Sequence, residues 1–227
     1  EEAARRDPAG LRVVDTGPAG EALQSTRDVK RGETVLRELP YLVACNRDDL
    51  FGSRWRAYAH AAAAASEAEP GADAVLRAFE ELTAGGLEAA CLEAAGHVAA
   101  QAEAGRDRLE VASAHEIAAV LARWQSNSQR LPMPPASGLY RWHSKLQHSC
   151  RPNCAVGVLY STGEVTVRAV RDVRQGEMLA RNYESEQFLS LGLAERRRHL
   201  QQTRGFQCVC ERCVEEAAQA ESVRAPS

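Results

Sequence analysis

The sequence predicts an α+β protein: a β-rich fold of short strands and small sheets, interrupted by an all-helical insert and closed by a cysteine-rich element. Three observations predict it. Strand-like runs with turn punctuation occupy residues 11–44 and 155–170. Between them, residues 53–124 are dominated by alanine and carry helical patterning. Near the C-terminus, three of the seven cysteines fall within Cys208-Val209-Cys210-Glu211-Arg212-Cys213.

Along the chain, residues 11–14 are apolar-rich and lead into a turn-rich loop with Gly17, Pro18 and Gly20. Residues 34–38 and 41–44 read as strands separated by Pro40. Helices are expected over 54–65, 73–83, 87–104 and 114–124, punctuated by Pro70-Gly71 and Gly85-Gly86. Ser113-Ala114-His115-Glu116 fits a capping box. Trp55 and Tyr58, at i, i+3 spacing, are expected in the core. Residues 131–138, with three prolines, read as a loop. Strands over 155–160 and 164–170 are joined as a hairpin by Ser161-Thr162-Gly163. Residues 193–204 read as a helix, and the Ala/Glu-rich tail after Cys213 is expected to fray.

One internal echo stands out. Arg27-Asp28-Val29-Lys30-Arg31-Gly32-Glu33 returns as Arg171-Asp172-Val173-Arg174-Gln175-Gly176-Glu177. Both copies lead into a predicted extended segment through a glycine suited to positive φ. Two copies are too few for a solenoid and predict one sheet motif used twice.

Length and charge narrow the function classes. A chain of 227 residues can bury one sizeable core, or one core with a small appendage. The net charge of −3 argues against a basic surface for nucleic acid or anionic lipid. No apolar run is long enough to span a bilayer. No direct nucleic-acid or membrane partner is expected, and a monomer is. Residues 1–6 are charged with no apolar segment behind them, so they form no secretory signal; they read as a cut boundary. The run Arg196-Arg197-Arg198-His199 reads as a solvated helix face. The odd, crowded cysteines suit metal better than disulfides and a reducing compartment better than an oxidising one. The expected location is intracellular, with no basic import run to separate nucleus from cytoplasm.

A structural zinc site takes four ligands in a tetrahedron, and the C-terminal Cys-x-Cys-x-x-Cys supplies three. The fourth comes from Cys45, Cys91, Cys150, Cys154 or one of the six histidines. His148 and Cys150 are best placed, because "QHSCRPNC" (147–154) must be a fixed loop. The plainer alternative is a reduced, cysteine-rich tail without metal.

In order and spacing, these segments resemble SET-domain protein lysine methyltransferases, most closely the SET-and-MYND subfamily. Gly138-Leu139-Tyr140 precedes "QHSCRPNC", where the family reads Asn-His-Ser-Cys-x-Pro-Asn. Residues 167–173 and Gly176-Glu177 follow, then Asn182-Tyr183. Glu195-Arg196-Arg197 and Leu200 lead to Phe206-Gln207-Cys208 and the remaining cysteines, which look like a post-SET zinc motif. In the first half, Gly20-Glu21-Ala22-Leu23 is similar to the Gly-x-Gly-Leu cofactor loop, and Asn127-Ser128 to the pair that opens the SET core after an insert.

The resemblance implies a SET-type fold with a knot-like C-terminal substructure. It divides the chain into an N-terminal SET segment (8–45), a helical insert (46–124), a C-terminal SET core (125–190), a post-SET helix and zinc motif (191–215) and a tail (216–227). It implies S-adenosylmethionine held by Gly20, Glu21, Ala22, Asn127, Ser144, Leu146, Gln147, His148 and Phe206. Phe206 could equally cover the zinc-site core. Structural zinc would be held by Cys150, Cys208, Cys210 and Cys213, with Cys154 a buried thiol. Tyr183 is the implied catalytic residue, and Gln129, Tyr183 and Arg204 line the implied lysine channel. The expected activity is methylation of a lysine side chain in a protein substrate, histone or non-histone.

Methyl transfer to lysine needs an amine that has lost its proton, against an unperturbed pKa of roughly 10.4. A narrow apolar channel helps by disfavouring the ammonium. Alignment of the nitrogen with the methyl carbon supplies much of the rate. A tyrosine hydroxyl can orient the amine.

The chain departs from the family at several points. The segment between Cys45 and Trp124 lacks the paired Cys-x-x-Cys spacings of a MYND finger. Gln147 stands for asparagine, Ala22 for glycine, Arg204 for a channel tyrosine and Gln129 for an aromatic. Ala22 is tolerable at negative φ and costly at positive φ. Arg204 either faces the channel or turns to pair with Glu184 or Glu186. Gln129, Gln147 and Arg204 support the alternative function, a catalytically inactive SET-like module that acts as a protein-binding scaffold.

Overall fold

A computed structural model describes residues 8–17, 20–45, 49–103, 112–132 and 136–224. Among the described residues the chain divides into two compact units. A helix-rich unit holds residues 38–144 and 158–165, and a strand-rich unit holds 8–37, 145–157 and 166–224.

The helix-rich unit contains α1 (Leu50–Ser66), α2 (Ala72–Glu80), α3 (Glu88–Glu103) and α4 (Ala114–Asn127). Its sheet joins β4 (Leu42–Cys45), β6 (Ala136–Leu139) and β5 (Gln129–Leu131) in that order. Both pairings are antiparallel, with Leu42 opposite Leu139 and Gln129 opposite Gly138. The core gathers Trp55, Phe79, Ile117, Leu121, Trp124 and Leu139. Buried Ala95, Ala118 and Ala122 let helices approach closely there. Trp55 meets Tyr58 at 5.8 Å between ring centroids, Tyr58 meets Phe79 at 4.8 Å, and Phe79 meets Trp124 at 6.4 Å. The Trp124 Nε1–H donates to Ser137 Oγ at 2.8 Å, satisfying its one polar atom inside the core.

The capping box of α4 forms as the sequence predicts. Ser113 Oγ accepts from the Glu116 N–H at 3.3 Å, and the Ser113 N–H donates to Glu116 Oε2 at 2.8 Å. Ser113→Ala is therefore expected to destabilise this unit by about 1 kcal/mol. A denaturant midpoint equal to wild type would show that the cap contributes nothing.

Several boundaries differ from the sequence expectation: α1 begins at Leu50 instead of residue 54, and α2 ends at Glu80 instead of residue 83. Helix α4 runs on to Asn127 instead of ending at Trp124. The expected loop at 131–138 contains the end of β5 and most of β6. Sheet pairing, which local composition does not encode, overrides the proline signal there. Residues 133–135 of that loop lie outside the described residues, as do Pro18, Ala104 and residues 1–6.

The strand-rich unit begins with the antiparallel pair β1 (Leu11–Asp15) and β2 (Glu21–Ser25), with Leu11 opposite Ser25 and Asp15 opposite Glu21. A second sheet places β9 (Val165–Ala169) between β3 (Thr34–Glu38) and β8 (Cys154–Val158). A third is the short parallel pair of β7 (Gln147–His148) and β10 (Ala180–Arg181).

The sequence echo pairs with itself. Val29 and Val173 exchange backbone hydrogen bonds at 2.8 and 2.9 Å. Asp28 Oδ1 accepts from the Gln175 N–H at 2.8 Å, and Asp172 Oδ1 accepts from the Arg31 N–H at 2.9 Å. Within each copy the arginine pairs with the glutamate six residues on, Arg27 with Glu33 and Arg171 with Glu177. Gly32 and Gly176 both take φ near +86°, at +87° and +85°. The repeat is thus a self-complementary pair of turns that ties residues 27–33 to 171–177.

Helix α5 (Leu193–Arg204) is followed by α6 (Glu211–Arg224). The tail expected to fray is helical to residue 224, and ion pairs hold its first turns. Arg212 Nε reaches Glu216 Oε1 at 2.7 Å one turn along, and Arg151 Nη2 reaches Glu215 Oε2 at 2.6 Å. The Arg196–His199 run is not a solvated face either: Arg196 is fully buried, and only Arg198 is exposed. Among the described residues no helix is long and apolar enough to cross a membrane.

Candidate active site

The strand-rich unit builds the site around "QHSCRPNC". Gln147 and His148 pair with Ala180 and Arg181 through β7 and β10. Asn153 fixes the far end of the segment. Its Oδ1 accepts from the Ala180 N–H at 2.8 Å, and its Nδ2 donates to Met178 O at 2.8 Å. Cys154 is buried, with its thiol pushed up to about 12 by burial, and stands outside the sulfur cluster.

Ser149 and Arg151 hold the turn that follows β7 and present Cys150 to the C-terminal cysteines. The sulfurs of Cys150, Cys208, Cys210 and Cys213 all lie within 4.8 Å of one another. Cys150 and Cys208 are 4.0 Å apart, and Cys213 and Cys150 are 3.6 Å apart. Four thiolates at Zn–S distances of about 2.3 Å would stand about 3.8 Å apart, so the cluster fits zinc. Three of the four cysteines are buried and Cys210 is half-buried. Cys45 and Cys91 belong to the helix-rich unit. The thiols of Cys150, Cys208 and Cys210 compete for protons: hydrogen bonds with Cys150 and Cys208 hold Cys210 far down, and hydrogen bonds with Cys150 and Cys210 hold Cys208 far up. A divalent cation removes that competition by displacing the protons.

His148 touches both the sulfurs and the tyrosine. Its Nδ1 accepts from the Tyr183 N–H at 3.2 Å, and its Nε2 lies 3.5 Å from Cys150 Sγ. That arrangement assigns the proton to Nε2, and burial lowers the imidazole pKa to about 4, which keeps the ring neutral.

The Tyr183 hydroxyl donates to the Leu146 carbonyl at 2.6 Å. Its ring stands edge-on to His148 at 5.2 Å and to Phe206 at 6.4 Å. Two guanidiniums flank it: Arg181 lies 4.7 Å and Arg204 5.7 Å from the ring centroid. Burial raises the phenol pKa, and the two arginines oppose that shift. Arg181 is a participant the sequence reading missed, because an arginine on a two-residue strand carries no local signal. Arg204 takes the paired orientation: its Nε reaches Glu184 Oε1 at 2.9 Å, and His199 reaches the other oxygen at 3.2 Å. Burial pushes the Glu184 carboxyl up, but Arg204 and His199 together bring it below the ordinary carboxylate value.

The residues expected at the cofactor divide between the units. In the strand-rich unit Gly20 takes φ of +76°, as a loop glycine should. Ala22 is fully buried in β2 and has no positive φ, so its side chain adds no backbone strain. Glu21 pairs with Lys145, and its carbonyl accepts from Gln147 Nε2 at 3.0 Å. The longer glutamine thus bridges to backbone. Phe206 is half-buried, 5.9 Å from His148, and also packs on the sulfur cluster.

Asn127, Gln129 and Ser144 belong to the helix-rich unit. Asn127 Nδ2 donates to Thr83 O and Arg123 O, at 2.8 and 2.7 Å, and Gln129 Nε2 donates to Arg130 O at 3.3 Å. Ser144 Oγ donates to Tyr140 O at 2.6 Å. Glu38 anchors the turn before Ser144, accepting from the Arg141, Trp142 and His143 N–H groups at 2.6 to 3.0 Å.

Comparison with known proteins now places the chain. A family model described as "SET domain" matches residues 20–184, so the chain belongs to the SET-domain family. Histone-lysine N-methyltransferase SET5 of Yarrowia lipolytica is 38% identical over 78 residues, covering 34% of this chain and 17% of that protein. Human histone-lysine N-methyltransferase SMYD3 is 40% identical over 76 residues, again 34% and 17%. Mouse protein-lysine N-methyltransferase SMYD4 is 34% identical over 96 residues, 42% and 11%. The matched stretches thus span only a small part of these longer relatives. The crystal structure of the SET domain of LSMT, bound to lysine and AdoHcy, superposes with a TM-score of 0.58. It shares 12% identity and covers 91% of this chain and 55% of that one, which establishes the likeness as one of fold.

Proposed function

We propose that the protein transfers a methyl group from S-adenosylmethionine to the side-chain amine of a lysine in a protein substrate. The observation that carries this is the half-buried Tyr183, whose hydroxyl is held on the Leu146 carbonyl beside the "QHSCRPNC" turn, in a chain of the SET-domain family. The names of the relatives, histone- and protein-lysine methyltransferases, support the substrate class. The residues proposed to hold the cofactor in the strand-rich unit are Gly20, Glu21, Ala22, Leu146, Gln147, His148 and Phe206. They fit it chemically: a left-handed glycine bares backbone, and Phe206 offers a ring face to adenine.

When bound, S-adenosylmethionine supplies an electrophilic methyl group on a positively charged sulfur. Tyr183 is proposed to orient the neutral lysine amine, whose proton has left to solvent. Arg181, 4.7 Å from the Tyr183 ring centroid, disfavours an ammonium near that hydroxyl and so favours the amine that can attack. Cys150, Cys208, Cys210 and Cys213 are proposed to hold zinc with a structural role. Because Arg204 is paired with Glu184, its charge is balanced, and one of the three arguments for an inactive scaffold weakens.

The test is calorimetric titration of the zinc-loaded protein with S-adenosylmethionine and with S-adenosylhomocysteine. Micromolar binding of both is expected, followed by labelled-methyl transfer to lysine-containing proteins. Folded, zinc-containing protein that binds neither would overturn the enzyme proposal in favour of the scaffold.

A further inference from the structure

A zinc ion with four thiolates carries a net charge of −2, and the strand-rich unit gives each sulfur at least one hydrogen-bond donor. Cys208 Sγ accepts from the Cys210 N–H at 3.5 Å, and Cys210 Sγ accepts from the Cys150 N–H at 3.3 Å. Cys150 Sγ faces His148 Nε2 at 3.5 Å. These three donors are neutral. The fourth is a cation: Arg196 Nη2 donates to Cys213 Sγ at 3.7 Å.

Arg196 is 0% exposed, an expensive place for a guanidinium unless its charge is matched. It has one carboxylate partner, Glu216, whose Oε2 lies 2.7 Å from the same Nη2. That carboxylate is shared, since Arg212 Nε reaches Glu216 Oε1 at 2.7 Å. Arg212 also donates to Leu189 O at 2.9 Å. Two guanidiniums on one carboxylate leave a net charge of +1 beside a cluster that carries −2 when metal is bound. Arg196 Nη1 is taken by Leu191 O at 2.5 Å. So Nη2, torn between a carboxylate and a sulfur, is the atom through which this charge acts on the metal site.

We propose that Arg196 and Glu216 are an opposed pair of positioning residues that set the nucleophilicity of the zinc thiolates. Arg196 damps it by drawing charge from Cys213, and Glu216 limits the damping by competing for the same nitrogen. The effect falls on the metal site's resistance to electrophiles and on its hold on zinc. This rests on the zinc assignment above.

The experiment treats the zinc-loaded protein with N-ethylmaleimide and follows zinc release with a chromophoric chelator. A cysteine sulfur adds to the maleimide alkene: an S–C bond forms, the Zn–S bond breaks, and the adjacent carbon takes a proton from water. Arg196→Met is expected to release zinc about tenfold faster than wild type, in the range seen for outer-shell partners of metal ligands. Arg196→Lys, which keeps the charge, should fall between the two. Glu216→Gln is expected to release zinc more slowly than wild type, because Arg196 Nη2 then belongs to the sulfur alone.

The opposed signs separate this role from a structural one. If Arg196 and Glu216 form only a structural ion pair, breaking it from either side speeds release, and the proposal is overturned. Should Arg196→Met fail to fold, Glu216→Gln decides: release at or above the wild-type rate overturns the proposal. Wild-type protein purified without stoichiometric zinc would instead refute the zinc assignment itself.

Discussion

Removing zinc with a strong chelator, or replacing one ligand by Cys210→Ser, is expected to abolish the cooperative melt of the strand-rich unit's C-terminal part. The core there is small. It consists of Cys150, Phe188, Leu200, Cys208 and Cys213, with Phe206, Cys210 and three leucines packed around it. Sulfur atoms fill its centre, so four thiols occupy the place where a larger protein would pack branched side chains. Without metal those thiols must share protons within a few ångströms of one another, and buried Arg196 is left with only the Glu216 carboxylate, which it shares with Arg212. Binding of structural zinc by thiolates contributes on the order of 10–16 kcal/mol, comparable to the whole stability of a domain. Loss of one ligand forfeits a large part of that. The segment carrying His148 and Cys150 should loosen together with α5 and α6, since only the cluster joins Cys150 to residues 208–213 through sulfur. The measurement is a melt followed by circular dichroism with and without chelator. A transition unchanged by both treatments would remove zinc from the account.

How much of this was legible in the sequence depends on the range of the interaction that decides each feature. Strand β3 and helix α5 match their expected bounds, because alternation, a proline stop and helix-forming residues act within a few positions. The echo of residues 27–33 in 171–177 was visible as a repeat. Its mutual pairing was not, since nothing in either copy names its partner. Strand β6 was read as loop because the prolines just before it speak locally while its neighbours, β4 and β5, are chosen by the fold. The two-residue strands β7 and β10 are below the length at which periodicity exists. The arginine run shows the limit most plainly. Four consecutive basic residues read as a solvated face, yet α5 turns Arg196 inward onto Cys213 and Glu216 while Arg198 points to solvent. Helical rotation of 100° per residue separates those fates, and only the position of α6 decides which residue is inside. The sulfur cluster lies between these extremes: the spacing Cys-x-Cys-x-x-Cys made three of its members legible, while the fourth, Cys150, was left open among other cysteines and histidines until the family resemblance singled it out.

Tyr183→Phe is expected to lower methyl-transfer turnover by about two orders of magnitude while leaving affinity for S-adenosylmethionine nearly unchanged. The substitution is informative because it removes so little. The phenyl ring keeps its edge contacts with His148 and Phe206 and its place between Arg181 and Arg204. The Tyr183 backbone N–H still donates to His148 Nδ1. What disappears is one hydroxyl and its hydrogen bond to the Leu146 carbonyl, a stability cost of about 1 kcal/mol. A fall in turnover can then be assigned to the hydroxyl, since the neighbouring groups that could hold the cofactor are untouched. The pattern of the loss carries further information. If the hydroxyl acts only in the transition state, kcat falls with KM for the protein substrate unchanged; if it also positions the resting amine, KM rises with it. Arg204→Gln supplies a contrast, because it leaves the hydroxyl in place while freeing Glu184 and removing one of the two cations over the ring. Turnover equal to wild type in Tyr183→Phe would remove Tyr183 from the chemistry and leave it as a core tyrosine satisfying the Leu146 carbonyl.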